Sequence, residues 1–377
     1  MDDRDGRTPL DRALVELARR ARVLPALHPQ NAVSERARLT EELEAERVPV
    51  PRWQPLERRD VRGLVAVIDQ LRRVVGEAMP EAIAALYRAR LEELELDVAL
   101  LDALGDARRV RPIAARRFGT GADVVEGISL RERARTILAD VSPNHDARVV
   151  SARELATRME RAAREVGLEL TVKIDPRLSA GAAAGDRTIY LQDRAFGAIE
   201  ARRLVAHEVL GHAVAAHRGA NETLAIFEVG TAGSFADQEG LAIVLEEEAG
   251  ALDALRLRVL AARVLATDRM HEGASFGETA RELVKDVGLS PSQSISTTER
   301  AFRGGGVARD AGYLAGWLRV RGAIREGSAA LDHFRMGRVS TSAMPAIRWA
   351  ITQGLASTLP PPIALGEVLD RAGCTVS

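Results

Sequence analysis

Arg203-Leu204-Val205-Ala206-His207-Glu208-Val209-Leu210-Gly211-His212-Ala213-Val214-Ala215-Ala216-His217 is the stretch on which the reading of this chain turns. It reads as a helix, and three of the chain's seven histidines fall within it. The first pair flanks a glutamate, giving His-Glu-x-x-x-His. Zinc chemistry gives such a grouping a purpose. The ion takes neutral imidazole nitrogens and carboxylate oxygens, and a catalytic site uses three protein ligands while one position stays open for water. The metal lowers the pKa of that water to about 7, and a neighbouring carboxylate takes the proton.

The spacing carries a structural consequence. Histidines four residues apart lie about 40° apart on a regular helix, close enough to share one metal. His207 and His212 are five apart, or about 140° round, which is too far. The helix must absorb one residue. A π-bulge does this, and such bulges recur at functional sites. Gly211, just before His212, is the residue best able to accept the distortion. The sequence therefore predicts a widened turn between the histidines, centred near Gly211.

A third ligand is needed. Downstream, Ala236-Asp237-Gln238-Glu239-Gly240-Leu241-Ala242-Ile243-Val244-Leu245-Glu246 opens another helix with Glu239 in its first turns. A carboxylate from a second helix fits the logic of two-His-one-Glu zinc peptidases. Glu239 would also favour a helix N-terminus through the dipole alone. His217 and Glu246 are rival third ligands.

Outward from this centre the period changes. Leu168, Leu170, Val172 and Ile174 alternate with polar residues as in a half-buried strand. Thr188-Ile189-Tyr190-Leu191 reads as a second strand beyond a Gly- and Ala-rich loop from Ser179 to Asp186. Together they predict a small antiparallel sheet leading into the His-Glu helix. A helix is expected over Ala152 to Val166. Ile83, Leu86, Tyr87, Leu91, Leu94, Val98 and Leu101 form one apolar helix face, with Gly105 as its stop. Pro9 to Glu46 reads as helical and charged, broken between Pro25 and Pro29, and Val48 to Pro55 as extended because of its prolines. The expected fold is α+β and mostly α-helical. Its zinc-peptidase-like core, with the small sheet beside the His-Glu helix, is wrapped by N- and C-terminal helices. Residues 1–120 would form an N-terminal helical region and 121–377 the catalytic region, packed as one unit.

Composition narrows the classes. At 377 residues, 46% hydrophobic and 28% charged, the chain has the mix of a soluble globular protein. No apolar run approaches the ~18 residues of a membrane helix. The start, Met1-Asp2-Asp3-Arg4-Asp5, is acidic and lacks the apolar stretch of a secretory signal. One cysteine, Cys374, excludes a disulfide scaffold and any cysteine-based zinc site. The expected address is the cytoplasm. A net charge of −1 gives no basic stripe for nucleic acid. The cations are almost all arginine, with only Lys173 and Lys285 as lysines, and interleaved Asp and Glu make solvated helix faces the simple reading.

The motifs together resemble the family named for its Gln-Glu-Gly-Leu-Ala motif, a domain tied to flavohemoglobin expression that includes the eukaryotic microtubule-associated tyrosine carboxypeptidases. The matching residues are His207-Glu208-Val209-Leu210-Gly211-His212, Asn221, Gly230-Thr231-Ala232-Gly233 and Gln238-Glu239-Gly240-Leu241-Ala242. Arg300-Ala301-Phe302-Arg303-Gly304-Gly305, Tyr313-Leu314-Ala315-Gly316 and Phe334-Arg335-Met336-Gly337-Arg338-Val339 match further on. Leu27-His28-Pro29-Gln30-Asn31 and Val50-Pro51-Arg52-Trp53 match on the N-terminal side. The resemblance spans residues 20–370. It implies His207, His212 and Glu239 as ligands of one zinc ion per chain and Glu208 as general base. It also implies a peptide or protein C-terminus as substrate, with an aromatic residue, tyrosine or phenylalanine, released.

A carboxypeptidase must also hold the terminal carboxylate, which suits the planar fork of arginine. Arg300 and Arg303, beside the run Gly304-Gly305-Gly306, are the candidates, set against ordinary surface arginines. Tyr313, one of three tyrosines, is the candidate donor to the developing oxyanion, set against a buried aromatic anchor. Lys173, on the strand face opposite Val172 and Ile174, is a weaker candidate. Two other classes stay open: a metal-binding regulator or scaffold without catalysis, and a zinc amidase on a small substrate. Glu208 beside His207 favours an enzyme, because a purely structural site needs no base.

Overall fold

In the computed structural model, residues 7–56, 59–140, 148–176, 178, 180–185 and 187–375 are described. The acidic start over residues 1–5, and Ser179 and Asp186 at the ends of the Gly/Ala loop, lie outside them.

Helices α1 (Pro9–Arg20) and α2 (Ala32–Glu44) flank a short 3-10 turn at Leu24–Leu27, where the prolines interrupt the helical run. Then come α3 (Arg62–Ala78), α4 (Glu81–Ala103) and α5 (Ala107–Phe118). The apolar stripe of α4 is buried at Ile83, Tyr87, Leu91, Leu94, Val98 and Leu101 and half-buried at Leu86, as its period requires. Gly105 ends it with φ +88°, a left-handed conformation that favours glycine, and its N–H donates to the Gly304 carbonyl at 3.0 Å. The hairpin β1 (Val124–Val125) and β2 (Ile128–Ser129) leads into α6 (Leu130–Asp140). After β3 (Val149–Val150), α7 (Ala152–Glu165) starts with the Ser151 side chain accepting from the Glu154 N–H.

The central sheet differs from expectation. Strands β4 (Thr171–Asp175) and β6 (Thr188–Gln192) are paired, but parallel. A third strand, β5 (Ala182–Ala184), lies within the Gly/Ala loop and pairs antiparallel with the far edge of β6. Between β4 and β6 in sequence the chain forms β5 on the far edge of β6, and the Gly185 N–H donates to Thr188 O at 2.7 Å. That detour reverses the direction a direct hairpin would impose. The sheet does sit beside the His-Glu helix, because β5 packs on it.

Strand β7 (Phe196–Gly197) pairs with β3 and runs into the site helix: α8 (Ala198–Leu204), a π-helical segment (Val205–Ala213) and α9 (Val214–Asn221), continuous in one axis. The rest is helical: α10 (Ile226–Val229), α11 (Ser234–Glu248), α12 (Ala254–His271), α13 (Phe276–Lys285), α14 (Pro291–Phe302), α15 (Ala311–Arg325), α16 (Leu331–Phe334), α17 (Met344–Thr352) and α18 (Leu365–Arg371). The molecule is thus mostly helical with small sheets. One cluster of buried apolar side chains joins Leu10 of α1 to Cys374 near the C-terminus. Among the described residues no helix is long and apolar enough to cross a membrane.

Candidate metal centre

The His-Glu segment solves the spacing problem by changing helix type. All nine residues from Val205 to Ala213 are π-helical. An i to i+5 repeat returns the chain to one face every fifth residue, which is the separation of His207 and His212. Their Nε2 atoms stand 3.2 Å apart, with ring centroids at 4.7 Å. The widening is longer than a single bulge at Gly211. Gly211 does not take a left-handed backbone either. Helix α11 packs against it: an added Cβ would lie 3.4 Å from the Ala242 Cβ and 3.5 Å from Leu245 Cδ1, which are ordinary contact distances.

Helix α11 brings Glu239 to that face. Its start is set by Gly230 and Gly233, both at positive φ, and the Gly233 N–H donates to Glu93 of α4 at 2.9 Å. Gln238 is buried and donates to the Phe334 and Val339 carbonyls at 3.1 and 3.2 Å. Gly240 lets α15 cross in backbone contact: a Cβ there would fall within the Gly316 peptide group and 2.6 Å from the Trp317 nitrogen.

Glu239 Oε2 consequently lies 3.4 Å from His207 Nε2 and 3.6 Å from His212 Nε2. It is buried and accepts no hydrogen bond from any described residue. Three donors bound tetrahedrally at zinc distances of 2.0–2.2 Å stand roughly 3.3–3.6 Å apart. The observed separations of 3.2, 3.4 and 3.6 Å match that frame. His207, His212 and Glu239 are therefore grouped closely enough to bind one metal ion.

The next layer supports the same arrangement. Glu246, fully buried on α11, sits 2.7 Å from His207 Nδ1 and takes two hydrogen bonds from Arg256 of α12, at 2.9 and 2.8 Å. An ionised carboxylate only accepts, so Nδ1 carries the ring proton and Nε2 presents its lone pair to the cluster. Burial opposes the Glu246 charge, but Arg256 and His207 together hold its carboxyl well below the usual range. Glu246 thus backs His207 from behind and lies outside the group of three donors. The other rival, His217, is exposed on α9, where its ring and carbonyl meet the Asn221 side-chain amide. Glu208 is buried one residue after His207, and its carboxylate forms no hydrogen bond or ion pair with any described residue.

The family model described as microtubule-associated tyrosine carboxypeptidase matches residues 41–366. The chain belongs to this family. The match covers nearly the whole chain and runs across the helices on both sides of the His-Glu helix. The family's description is that of a peptidase acting at C-termini. No curated protein and no solved structure matches the chain.

In this family member Tyr313 and Arg300 meet at the cluster's edge. Tyr313 is buried on α15, with its hydroxyl 3.3 Å from Arg300 Nη2, which donates to it. Burial and then the Glu239 charge push the Tyr313 hydroxyl up from its usual pKa. It therefore stays protonated at neutral pH and keeps a hydrogen to donate. Arg300 also pairs through Nε with Asp310, so much of its fork is engaged. Arg303 is also buried, lies close enough to Arg300 and Asp310 to feel their charges, and lines a small recess with Leu27, Pro29, Trp53 and Glu299. Lys173 is exposed on β4. Nothing in the sequence marks Arg256, Arg263 or Asp310, because single charged residues carry little signal in a chain this rich in them.

Proposed function

We propose that the chain is a zinc-dependent carboxypeptidase that releases an aromatic residue from a peptide or protein C-terminus. The observation that carries this reading is the set of three donors at tetrahedral spacing, backed on His207 by Glu246 and Arg256. An ion bound by His207, His212 and Glu239 would supply an acidified water and a Lewis acid for the scissile carbonyl. Glu208 accepts the proton of the attacking water and delivers it to the leaving amine. The Tyr313 hydroxyl, steadied by Arg300, donates to the oxygen that gains charge in the tetrahedral transition state. No described residue hydrogen-bonds or ion-pairs with the Glu208 carboxylate, which suits a base that must exchange protons with water and substrate.

Metal analysis of the purified protein, together with an assay on a small library of C-terminal peptides, tests the reading. About one zinc per chain and release of a free C-terminal aromatic residue are expected. Equal cleavage of peptides with blocked C-termini would point to a different amide hydrolase. Bound zinc without release from any peptide would leave a metal site that is not a carboxypeptidase.

A further inference from the structure

Beside Tyr313, three arginines lie within 4.0 Å of one carboxylate, Asp310. Asp310 is almost fully buried, and three guanidinium groups share it. Arg300 pairs with it through Nε, while the Nε atoms of Arg263 and Arg309 stand off at 3.7 and 3.9 Å. One carboxylate therefore faces three cations. Arg263, on α12, is the least satisfied of them. Its Nε and Nη1 are buried and hydrogen-bond to no described residue. Its guanidinium carbon lies 4.5 Å from the centre of the Tyr313 ring, on the residue whose hydroxyl feels the Glu239 charge. Burial and then repulsion from Arg300 pull its pKa down to about 10, with Asp310 only partly opposing them. A buried guanidinium without hydrogen-bond acceptors is costly unless an anion completes it.

We infer that Arg263 receives the free α-carboxylate of the substrate's C-terminal residue. The inference rests on the carboxypeptidase reading and deepens it by assigning the group that makes cleavage specific to a chain end. Arg300, one of the two arginines the sequence offers for this role, is held on Asp310 and on the Tyr313 hydroxyl, and so positions the tyrosine. Arg263 stands off from Asp310 and has Nε and Nη1 without a hydrogen bond among the described residues, and a carboxylate fits such a fork with two parallel hydrogen bonds. A C-terminal amide offers one acceptor and no charge, so it is rejected by the same group.

The test separates binding from turnover. In a Glu208→Gln background, a peptide ending in free tyrosine and the same peptide as its C-terminal amide are titrated by calorimetry. The acid form should bind at least about thirty-fold more tightly than the amide. Adding Arg263→Gln should bring the ratio close to one while zinc content and melting temperature hold. Adding Arg263→Lys, which keeps the charge and loses the fork, should give an intermediate ratio, and it answers the question should the glutamine variant not fold. An unchanged ratio in these variants, with the wild type still releasing tyrosine, overturns the role of Arg263 alone. Equal binding of acid and amide by the parent, with no release by the wild type, overturns the carboxypeptidase reading and this inference with it.

Discussion

Replacing Glu246 by glutamine tests whether the second layer of the metal centre holds the first in place. The side chain is fully buried, and three N–H groups point at its carboxylate: Nδ1 of His207 and two from Arg256. Glutamine keeps the shape but has one acceptor oxygen, and its amide nitrogen must then face a donor. Either Arg256 loses its counter-charge or His207 loses the partner that fixes its tautomer. An uncompensated buried charge costs about 3–5 kcal/mol. Loss of the group behind a metal-binding histidine typically weakens metal affinity by about 10–100-fold. Glu246→Gln should therefore unfold at lower denaturant, by an amount in that energy range, and require correspondingly more free zinc in competition with a chelator. Arg256→Leu in the same background should recover part of the stability, since it removes the stranded charge, and should not restore zinc affinity. A Glu246→Gln protein with wild-type stability and zinc affinity would refute the argument that this carboxylate organises His207.

Glu208→Gln should keep zinc and fold yet lose peptide cleavage by roughly 10²–10⁴-fold, measured by single-turnover release of the C-terminal residue; cleavage at the wild-type rate would remove it as the base. In protein stripped of metal by a chelator, burial lowers the His207 pKa, but Glu239 and Glu246 outweigh it and raise it to about 9, above the ordinary value near 6.5. His207 is then protonated at pH 7 and must lose that proton to bind zinc, so affinity should rise about tenfold per pH unit from 7 to 9, with about one proton released at pH 7. Calorimetry in buffers of different ionisation enthalpy reads that proton, and none released would mean that His207 is not a ligand. Gly240→Ala places a methyl group within the backbone of α15 and should cost about 1–3 kcal/mol or more, with a matching loss of zinc affinity as Glu239 is pushed from the histidines. Unchanged stability in denaturant titration would show that the two helices can part without consequence.

Much of this architecture is legible in the sequence where the signal is periodic or chemical. The α4 stripe, its glycine stop and the proline-broken N-terminal helices follow from spacing alone. The need for a widened turn follows from the five-residue separation of the histidines. What the sequence hides is set by distant partners. Strand β5 is three alanines inside a loop, with no alternation to mark it, and without it the parallel pairing of β4 and β6 cannot be read. Glu246 looks like a rival ligand until its distance to Nδ1 rather than Nε2 is known. The gap between Arg300 and Arg263 is of the same kind, because what distinguishes them is which fork is already occupied.

The glycines connect these observations. Gly240 and Gly316 bring α15 into backbone contact with α11, while α11 packs over Gly211 of the π-helical segment at ordinary contact distances. His207 and His212 sit on the π-helical segment, Glu239 on α11 and Tyr313 on α15. A metal frame tolerates only a few tenths of an ångström in ligand distance, and donors on separate helices inherit any error in helix separation. Leucine or valine at these crossings would hold the axes further apart, whereas backbone contact leaves no flexible side chain to adjust. The π-helix does within one segment what the glycines do between segments, since it turns two histidines onto a shared face without relying on a loop. Glu239 and Tyr313 therefore sit on helices whose separation is set by backbone contact, and the Arg263 guanidinium on α12, with Nε and Nη1 making no hydrogen bond among the described residues, lies over the tyrosine that this packing fixes.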